Sequence, residues 1–137
     1  MSDPPAHESG DPRPARLPEF AANPAYYEHV ARGYDRIATT YDAVEAQNAV
    51  GRRLRRRMTE ALASAFHAGD RVLEIGCGTG IEAIGLAERG IDVVATDVSS
   101  EMVERVAAKA KARGLRNVTD RALAARDLDH IAEEFGP

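Results

Sequence analysis

The feature that most constrains this chain is a short apolar run that enters a glycine cluster and then a helical segment. The apolar run is VLEI at residues 72–75, and the cluster is GCGTG at residues 76–80. Glycines let a backbone turn sharply and let a ligand approach the main chain without meeting a Cβ atom. A helix that begins after such a loop also presents free N–H groups, which suit a carboxylate or a phosphate. These residues therefore predict a buried strand followed by a ligand-binding loop.

Apolar runs bounded by turn residues alternate with helical stretches in this part of the chain. The predicted strands are residues 72–75, 92–97 and 117–123, and the predicted helices are about 81–89 and 101–113. Ser99 or Ser100 caps the second of these helices, and Met102, Val103 and Val106 lie on its inner face. Strands and helices in this alternation predict a parallel sheet with right-handed crossovers, which is an α/β, Rossmann-like fold.

The residues before the sheet divide into a tail and a helical region. Five prolines fall within residues 1–19, so this stretch is predicted to be a disordered tail. Asn23 and Pro24 form a helix start signal, because Asn favours the cap position and Pro the first helical position. The helix-compatible run that follows, residues 25–46, contains Gly33 as its expected break or bend.

A second amino-terminal helix is predicted at about residues 48–66. Its apolar side chains recur every four residues and are expected to pack on the sheet; they are Val50, Leu54, Met58, Leu62 and Phe66. The arginines beside this stripe are expected to form a solvated face, with an RNA- or phosphate-contacting surface as the alternative; they are Arg52, Arg53, Arg55, Arg56 and Arg57. One domain is predicted over residues 20–137, with helices in 20–67 and a βαβαβ half in 70–124.

The composition restricts the classes of function. The 137 residues carry a net charge of −4, which argues against a dedicated nucleic-acid binder. Cys77 is the only cysteine, so no internal disulfide can form, and the four histidines lack metal-ligand spacing, so no metal is expected. The sequence shows neither a signal-peptide core nor an apolar run long enough to cross a bilayer. We therefore expect a cytoplasmic protein without a membrane partner.

An acid at the end of the second predicted strand narrows the ligand. Asp97 stands where a carboxylate can accept hydrogen bonds from both hydroxyls of a ribose, so the loop and this acid together imply a nucleoside-containing cofactor. The dinucleotide fingerprint G-x-G-x-x-G would place its third glycine where this chain has Ile81. Here the third glycine comes one residue earlier, at Gly80, and the GK[ST] of a P-loop is absent.

At these residues the chain resembles the class I S-adenosylmethionine-dependent methyltransferases. VLEIGCGTG at 72–80 closely resembles the first signature motif of that family, and VATDVS at 94–99, followed by Met102, resembles the second. YDRIATTYD at 34–42 is similar to the YDxxAxxYD segment that precedes the sheet in many small-molecule members. The resemblance covers most of residues 26–123 and implies S-adenosylmethionine as the cofactor.

The resemblance also implies roles for the glycine loop. Gly76, Gly78 and Gly80 would let the loop wrap the methionine part of the donor, and Glu74 would face the donor's ammonium group directly or through water. The alternative for Glu74 is an acid that only stabilises the loop. Cys77 is interpreted as a small buried member of this binding loop rather than a nucleophile, because no His or Asp partner stands near it in sequence.

The remaining implied roles concern the adenosine and its cover. Asp97 would hold the ribose, and Val98 and Met102 would pack on the adenine. Tyr34 or Tyr41 would cover the donor, although their seven-residue spacing, one face of a helix, equally suits packing against the sheet. The family also places an acid after the third strand, near the adenine amine; here Ala124 fills that position, and Asp127 is the substitute.

The implied activity is transfer of a methyl group to a small-molecule acceptor. No catalytic base is assigned, because acceptor-binding residues in this family usually follow a fourth strand, and this chain offers only LDHIAEEFGP after Asp127. We expect an incomplete sheet of about three strands with an exposed edge at residues 72–75. The isolated chain is then marginally stable and inactive, or it associates through that edge. The alternatives are a truncated, non-catalytic cofactor-binding fragment and an NAD(P)-dependent oxidoreductase, which Ile81 disfavours.

Overall fold

The computed structural model describes residues 23–135. The predicted disordered tail at 1–19 lies outside these residues. Three helices precede the sheet: α1 (Pro24–Ile37), α2 (Tyr41–Gln47) and α3 (Ala49–Ala65). The start of α1 is as predicted, because the Asn23 side chain accepts a hydrogen bond of 3.0 Å from the backbone amide of Ala25.

The expected break at Gly33 is wrong. Helix α1 continues through Gly33 and ends at Ile37, and the chain turns at residues 38–40 before α2 begins. A single glycine costs a helix only about 1 kcal/mol relative to alanine, which packing overrides. The turn has its own cause, because both the amide and the hydroxyl of Thr40 donate to the carbonyl of Ile37. Ala38, 3% exposed, fixes this corner against the rest of the fold.

The second half of the chain alternates as the sequence predicts. Its elements are β1 (Arg71–Ile75), α4 (Ile81–Ala87), β2 (Asp92–Asp97), α5 (Ser100–Ala112) and β3 (Val118–Ala122). The strands form one parallel sheet in the order β1-β2-β3. A short 3₁₀ turn (Ala125–Asp127) and helix α6 (Asp129–Phe135) follow β3. The predicted Rossmann-like α/β fold is confirmed.

The core lies between the sheet and helices α4 and α5. It contains Ile84, Ile91, Val93, Met102 and Val106, each no more than 1% exposed. Ser99, rather than Ser100, caps α5, and its hydroxyl accepts a hydrogen bond of 3.1 Å from the amide of Met102. That cap sets the rotation of α5 and turns its apolar face to the sheet.

Only part of the apolar stripe on α3 packs as predicted. Leu62 and Phe66 pack against the core, whereas Val50, Leu54 and Met58 are 70%, 62% and 46% exposed. The reason lies in the sheet, because β1 pairs only with β2 among the described strands. The first turns of α3 therefore have no strand of residues 23–135 beneath them.

The outer edge of β1 is open, as expected from the sequence. Leu73 and Ile75 are 44% and 52% exposed, and every backbone pairing of β1 runs to β2. An apolar strand edge of this kind is a template for another strand. Within residues 23–135, no helix has both the length and the apolar character needed to cross a membrane.

Candidate functional site

Two neighbouring cavities open at the carboxyl ends of the strands. The first, here called the tyrosine cavity, measures about 340 Å³ and lies between the sheet and helices α1 and α2. The second, the edge cavity, measures about 520 Å³ and lies between α3 and the open edge of β1. The two cavities share four lining residues: Tyr41, Ile75, Gly76 and Gly78. Both volumes suit a small-molecule ligand.

The three glycines of the loop have two different functions. All three have positive φ, at +70° for Gly76, +55° for Gly78 and +78° for Gly80. Space around Gly76 and Gly78 is open, and both line the cavities. A Cβ atom on Gly80 would instead lie 2.6 Å from Cγ2 of Val106. Gly80 lines neither cavity, so the structure places it under α5 and leaves Gly76 and Gly78 at the ligand-accessible surface.

Asp97 connects the loop with the start of α5. This carboxylate is 9% exposed. Its Oδ2 accepts from the amide of Gly78 at 2.8 Å, and its Oδ1 accepts from the amide of Ser99 at 2.9 Å. Each carboxylate oxygen can accept a further hydrogen bond, and Asp97 lines the tyrosine cavity together with Val98 and Met102. The arrangement suits a ligand with two adjacent hydroxyl groups.

Glu74 lies on the other side of the loop, in the edge cavity. Its Oε2 is buried and has no hydrogen-bond partner. Burial raises the pKa of Glu74 to about 7, and the charge of Glu82 adds to the rise, while a backbone hydrogen bond from Ala83 and the charge of Arg55 oppose it. Leaving one buried oxygen of a carboxylate without a hydrogen-bond partner is costly. A ligand cation at this oxygen would remove that cost.

The Cys77 thiol has the buried character expected from the sequence. It is 4% exposed, and burial, followed by the charges of Glu74 and Asp97, raises its pKa to about 12. The thiolate is the nucleophilic form of cysteine, so this side chain is unreactive at neutral pH. Cys77 lines the edge cavity as a small neutral side chain.

Tyr34 and Tyr41 lie on α1 and α2, so the prediction of one shared helix face is wrong. The turn at residues 38–40 separates them, yet both line the tyrosine cavity. Burial, and then the charge of Glu45, raises the pKa of Tyr41. Tyr26 and Tyr27 join them in the lining, with their rings edge to face at 5.4 Å. This pair was not predicted from the sequence, although Tyr26 is eight residues before Tyr34, which is helical spacing.

Asp127 is not brought to the tyrosine cavity. It lies in the 3₁₀ turn, where its carboxylate is 3.5 Å from the guanidinium of Arg126. Leu123 and Ala125 line the cavity from this segment instead. Apolar side chains therefore line the cavity at the position where an acid was predicted from the sequence.

Two aspartates that were not predicted from the sequence join the amino-terminal helices to the site. Asp42 accepts hydrogen bonds from the Thr79 hydroxyl and from Nζ of Lys109, the latter at 2.6 Å. Asp35 accepts from the Ser99 hydroxyl at 2.5 Å. Both aspartates belong to the two Tyr-Asp pairs of YDRIATTYD, and this repeat was the signal that could have identified them.

Arg55 departs from the predicted solvated face of α3. It forms ion pairs with Glu82 on α4 and with Glu45 on α2, the latter at 3.4 Å. It is 26% exposed, whereas the other arginines of the cluster, Arg52, Arg53, Arg56 and Arg57, are exposed. Arg55 therefore ties three helices together beside the edge cavity. Among the residues whose side chains are described, no three His, Cys, Asp or Glu residues group in a metal-binding arrangement.

Fold and site together define a Rossmann-type α/β protein with a crevice at the carboxyl ends of its strands. Residues 72–136 match the family model described as a methyltransferase domain. The resemblance of the chain's motifs to the class I S-adenosylmethionine-dependent methyltransferase family is thereby confirmed. The cofactor of this family is S-adenosylmethionine.

Individual relatives agree with this family. A magnesium-protoporphyrin O-methyltransferase of Rhodobacter capsulatus is 34% identical over 83 residues, which are 58% of this chain and 37% of that protein. A demethylmenaquinone methyltransferase of Beutenbergia cavernae is 38% identical over 104 residues, 74% of this chain and 39% of that protein. The chain thus spans less than two fifths of the length of these two relatives.

A solved structure extends the likeness to the fold. The [4+2]-cyclase SpnF superposes with a TM-score of 0.65 at 25% identity, over 74% of this chain and 44% of that one. That protein is named as a cyclase, so one fold accompanies different reactions among the proteins similar to this chain.

Proposed function

We propose that this chain binds S-adenosylmethionine across the glycine loop and takes part in methyl transfer to a small-molecule acceptor. One arrangement carries the proposal: the free Oε2 of Glu74 and the carboxylate of Asp97 lie in adjoining cavities that meet at Gly76 and Gly78. A ligand with a cationic group at one end and a ribose at the other would satisfy both carboxylates.

Each part of the cofactor has a matching group in this proposal. Glu74 pairs with the ammonium group, and the open backbone at Gly76 and Gly78 lies along the methionine portion. Asp97 accepts hydrogen bonds from the ribose hydroxyls with the carboxylate lone pairs that are not used by the amides of Gly78 and Ser99. Val98 and Met102 contact the adenine, with Leu123 and Ala125 in place of an acid at its edge.

The bound cofactor supplies a methyl group on a positively charged sulfur, already activated for direct displacement. The chain's own residues therefore act by binding and orientation. Tyr34 and Tyr41 cover the cavity and exclude water, and the rigid loop fixes the reacting group relative to an acceptor. Alignment of this kind contributes on the order of 7 kcal/mol or more to lowering the barrier. No described residue is assigned as a base.

Both curated relatives bear names of small-molecule acceptors, magnesium-protoporphyrin and demethylmenaquinone. These names support a small-molecule acceptor for the proposed methyl transfer. A second candidate is cofactor binding without methyl transfer. The open edge of β1 beside the edge cavity favours that candidate for the 137-residue chain alone.

The test is isothermal titration of the chain with S-adenosylhomocysteine, with NAD as the competing ligand class. We expect binding of the first only. Asp97→Ala should weaken it at least tenfold, because a hydrogen bond to a charged group contributes about 1.5–3 kcal/mol. Asp92→Ala is the matched control, since Asp92 is an exposed residue at the opposite end of the same strand. Unchanged affinity in a folded Asp97→Ala variant would refute the proposed site, and NAD binding would refute the cofactor.

A further inference from the structure

The helices that carry the tyrosines have little apolar attachment to the rest of the fold. None of α1, α2 and α3 contains a buried residue. Yet α1 and α2 supply Tyr26, Tyr27, Tyr34 and Tyr41 to the tyrosine cavity. Polar contacts must therefore contribute much of what places these rings.

Asp42 makes the first such contact. Its two carboxylate oxygens accept from the Thr79 hydroxyl and from Lys109 Nζ, and the same Nζ donates to the Thr79 carbonyl at 2.9 Å. Burial alone would raise the pKa of Asp42, but the hydrogen bonds from Lys109 and Thr79 and the charge of Lys109 lower it overall. The carboxylate is thus ionised at neutral pH, and it follows Tyr41 directly in the chain. This contact fixes the start of α2 against the glycine loop.

Asp35 makes the second contact, directly after Tyr34. Its Oδ1 accepts from the Ser99 hydroxyl at 2.5 Å and from the amide of Glu101 at 3.3 Å. Ser99 is fully buried, and its own amide donates to Asp97. Asp35 therefore fixes α1 to the start of α5, one hydrogen bond away from the acid that lines the cavity.

The two contacts have the same form. Each aspartate follows a cavity-lining tyrosine and binds a hydroxyl close to an amide that donates to Asp97. For Asp35 that amide belongs to Ser99 itself, and for Asp42 it belongs to Gly78, the residue before Thr79. We propose that Asp35 and Asp42 are positioning residues that hold the tyrosines over the bound cofactor and thereby set how long it stays bound. This inference rests on the proposed function, since it concerns the same cavity and ligand.

The test compares ligand release with stability in the 137-residue chain. The dissociation rate of S-adenosylhomocysteine is measured by stopped flow for the unaltered chain, Asp35→Asn, Asp42→Asn, Lys109→Met and the double variant Asp42→Asn/Lys109→Met. Release should become about three- to tenfold faster in each single variant, as expected for the loss of a partly exposed, charge-assisted contact. The double variant should release the ligand no faster than the faster-releasing of its two single variants, because both changes remove the same contact.

Matched controls separate this role from a general loss of charge. Glu28→Gln removes an exposed acid from α1, and Lys111→Met removes an exposed cation from α5. Both should release the ligand at the unaltered rate. Added salt should speed release from the unaltered chain more than from Asp42→Asn, because only the former still has the ion pair between Asp42 and Lys109 to screen.

A purely structural role would lower the melting temperature of the ligand-free variants without changing the release rate, and that result would overturn the inference. So would additive effects of Asp42→Asn and Lys109→Met. If the unaltered chain does not bind S-adenosylhomocysteine at all, the proposed function fails and this inference fails with it. Binding by the unaltered chain with unchanged rates in the variants overturns only the inference.

Discussion

The buried carboxyl of Glu74 makes the stability of the ligand-free protein depend on pH in an unusual direction. Its pKa is about 7 in the fold against 4.5 for an ordinary glutamate. Between these two pH values the folded state therefore holds a proton that the unfolded state has lost. The stability contributed by this group is complete below about pH 4.5 and is lost as the pH rises through about 7. The difference of about 2.5 pKa units corresponds to roughly 3 kcal/mol.

Glu74→Gln should remove this dependence, because the amide has nearly the same shape and no charge. At pH 8 we expect the variant to be about 1–3 kcal/mol more stable than the unaltered chain, and at pH 5 nearly equal to it. Urea unfolding at each pH measures the free energy of unfolding. Glu104→Gln, an exposed change on α5, is the control and should follow the unaltered chain. The difference between the variant and the unaltered chain at each pH cancels every titration that the two proteins share.

The same carboxyl should couple proton release to cofactor binding. If the ammonium group of the ligand pairs with ionised Glu74, binding below pH 7 releases one proton, and the dissociation constant falls about tenfold per pH unit up to about 7 and then levels off. Titration at pH 6 in two buffers of different ionisation enthalpy counts the proton. Glu74→Gln should bind more weakly at pH 8 and without proton release. An identical pH dependence of binding in the variant and the unaltered chain would refute this reasoning.

Two further changes test the packing described above. Gly80→Ala should destabilise the fold by about 2–4 kcal/mol, because the new Cβ meets Val106 at 2.6 Å on a backbone of positive φ. Gly33→Ala is the control: its Cβ meets nothing within 4 Å in a helix interior, so it should stabilise the fold by about 0.5–1 kcal/mol. Urea unfolding measures both free energies, and equal effects would contradict the packing assigned to Gly80. Leu73→Lys on the open edge should reduce the concentration-dependent association of the chain, while Val50→Lys on α3 should not. Sedimentation velocity measures this association, and a chain that stays monomeric at all concentrations would contradict association through β1.

Local signals in the sequence were sufficient for the sheet half of the fold. Strand β2 has the predicted bounds, 92–97, because an apolar run between an acidic start and an acidic end is short and unambiguous. The cap at Ser99 and the inner face of α5 followed from residues only a few positions apart. The glycine loop and Asp97 likewise belong to two short, recognisable motifs, at 72–80 and 94–99.

The features that the sequence did not reveal depend on contacts between distant segments. Thr79 and Asp42 are 37 residues apart, and Ser99 and Asp35 are 64 apart, so no local pattern indicates that they bind each other. The exposure of Val50 depends on how far the sheet extends beneath α3, which the four-residue stripe does not encode. Asp127 was assigned by its nearness in sequence to the expected position, whereas the 3₁₀ turn directs it to Arg126.

The pair of backbone amides held by Asp97 has an evolutionary consequence. The group proposed to recognise the ribose is also the group that closes the loop at Gly78 and the helix start at Ser99. Selection for weaker or stronger cofactor affinity therefore cannot act through position 97 without disturbing the local backbone. Such tuning is left to neighbours such as Val98 and Tyr34, whose side chains border the cavity.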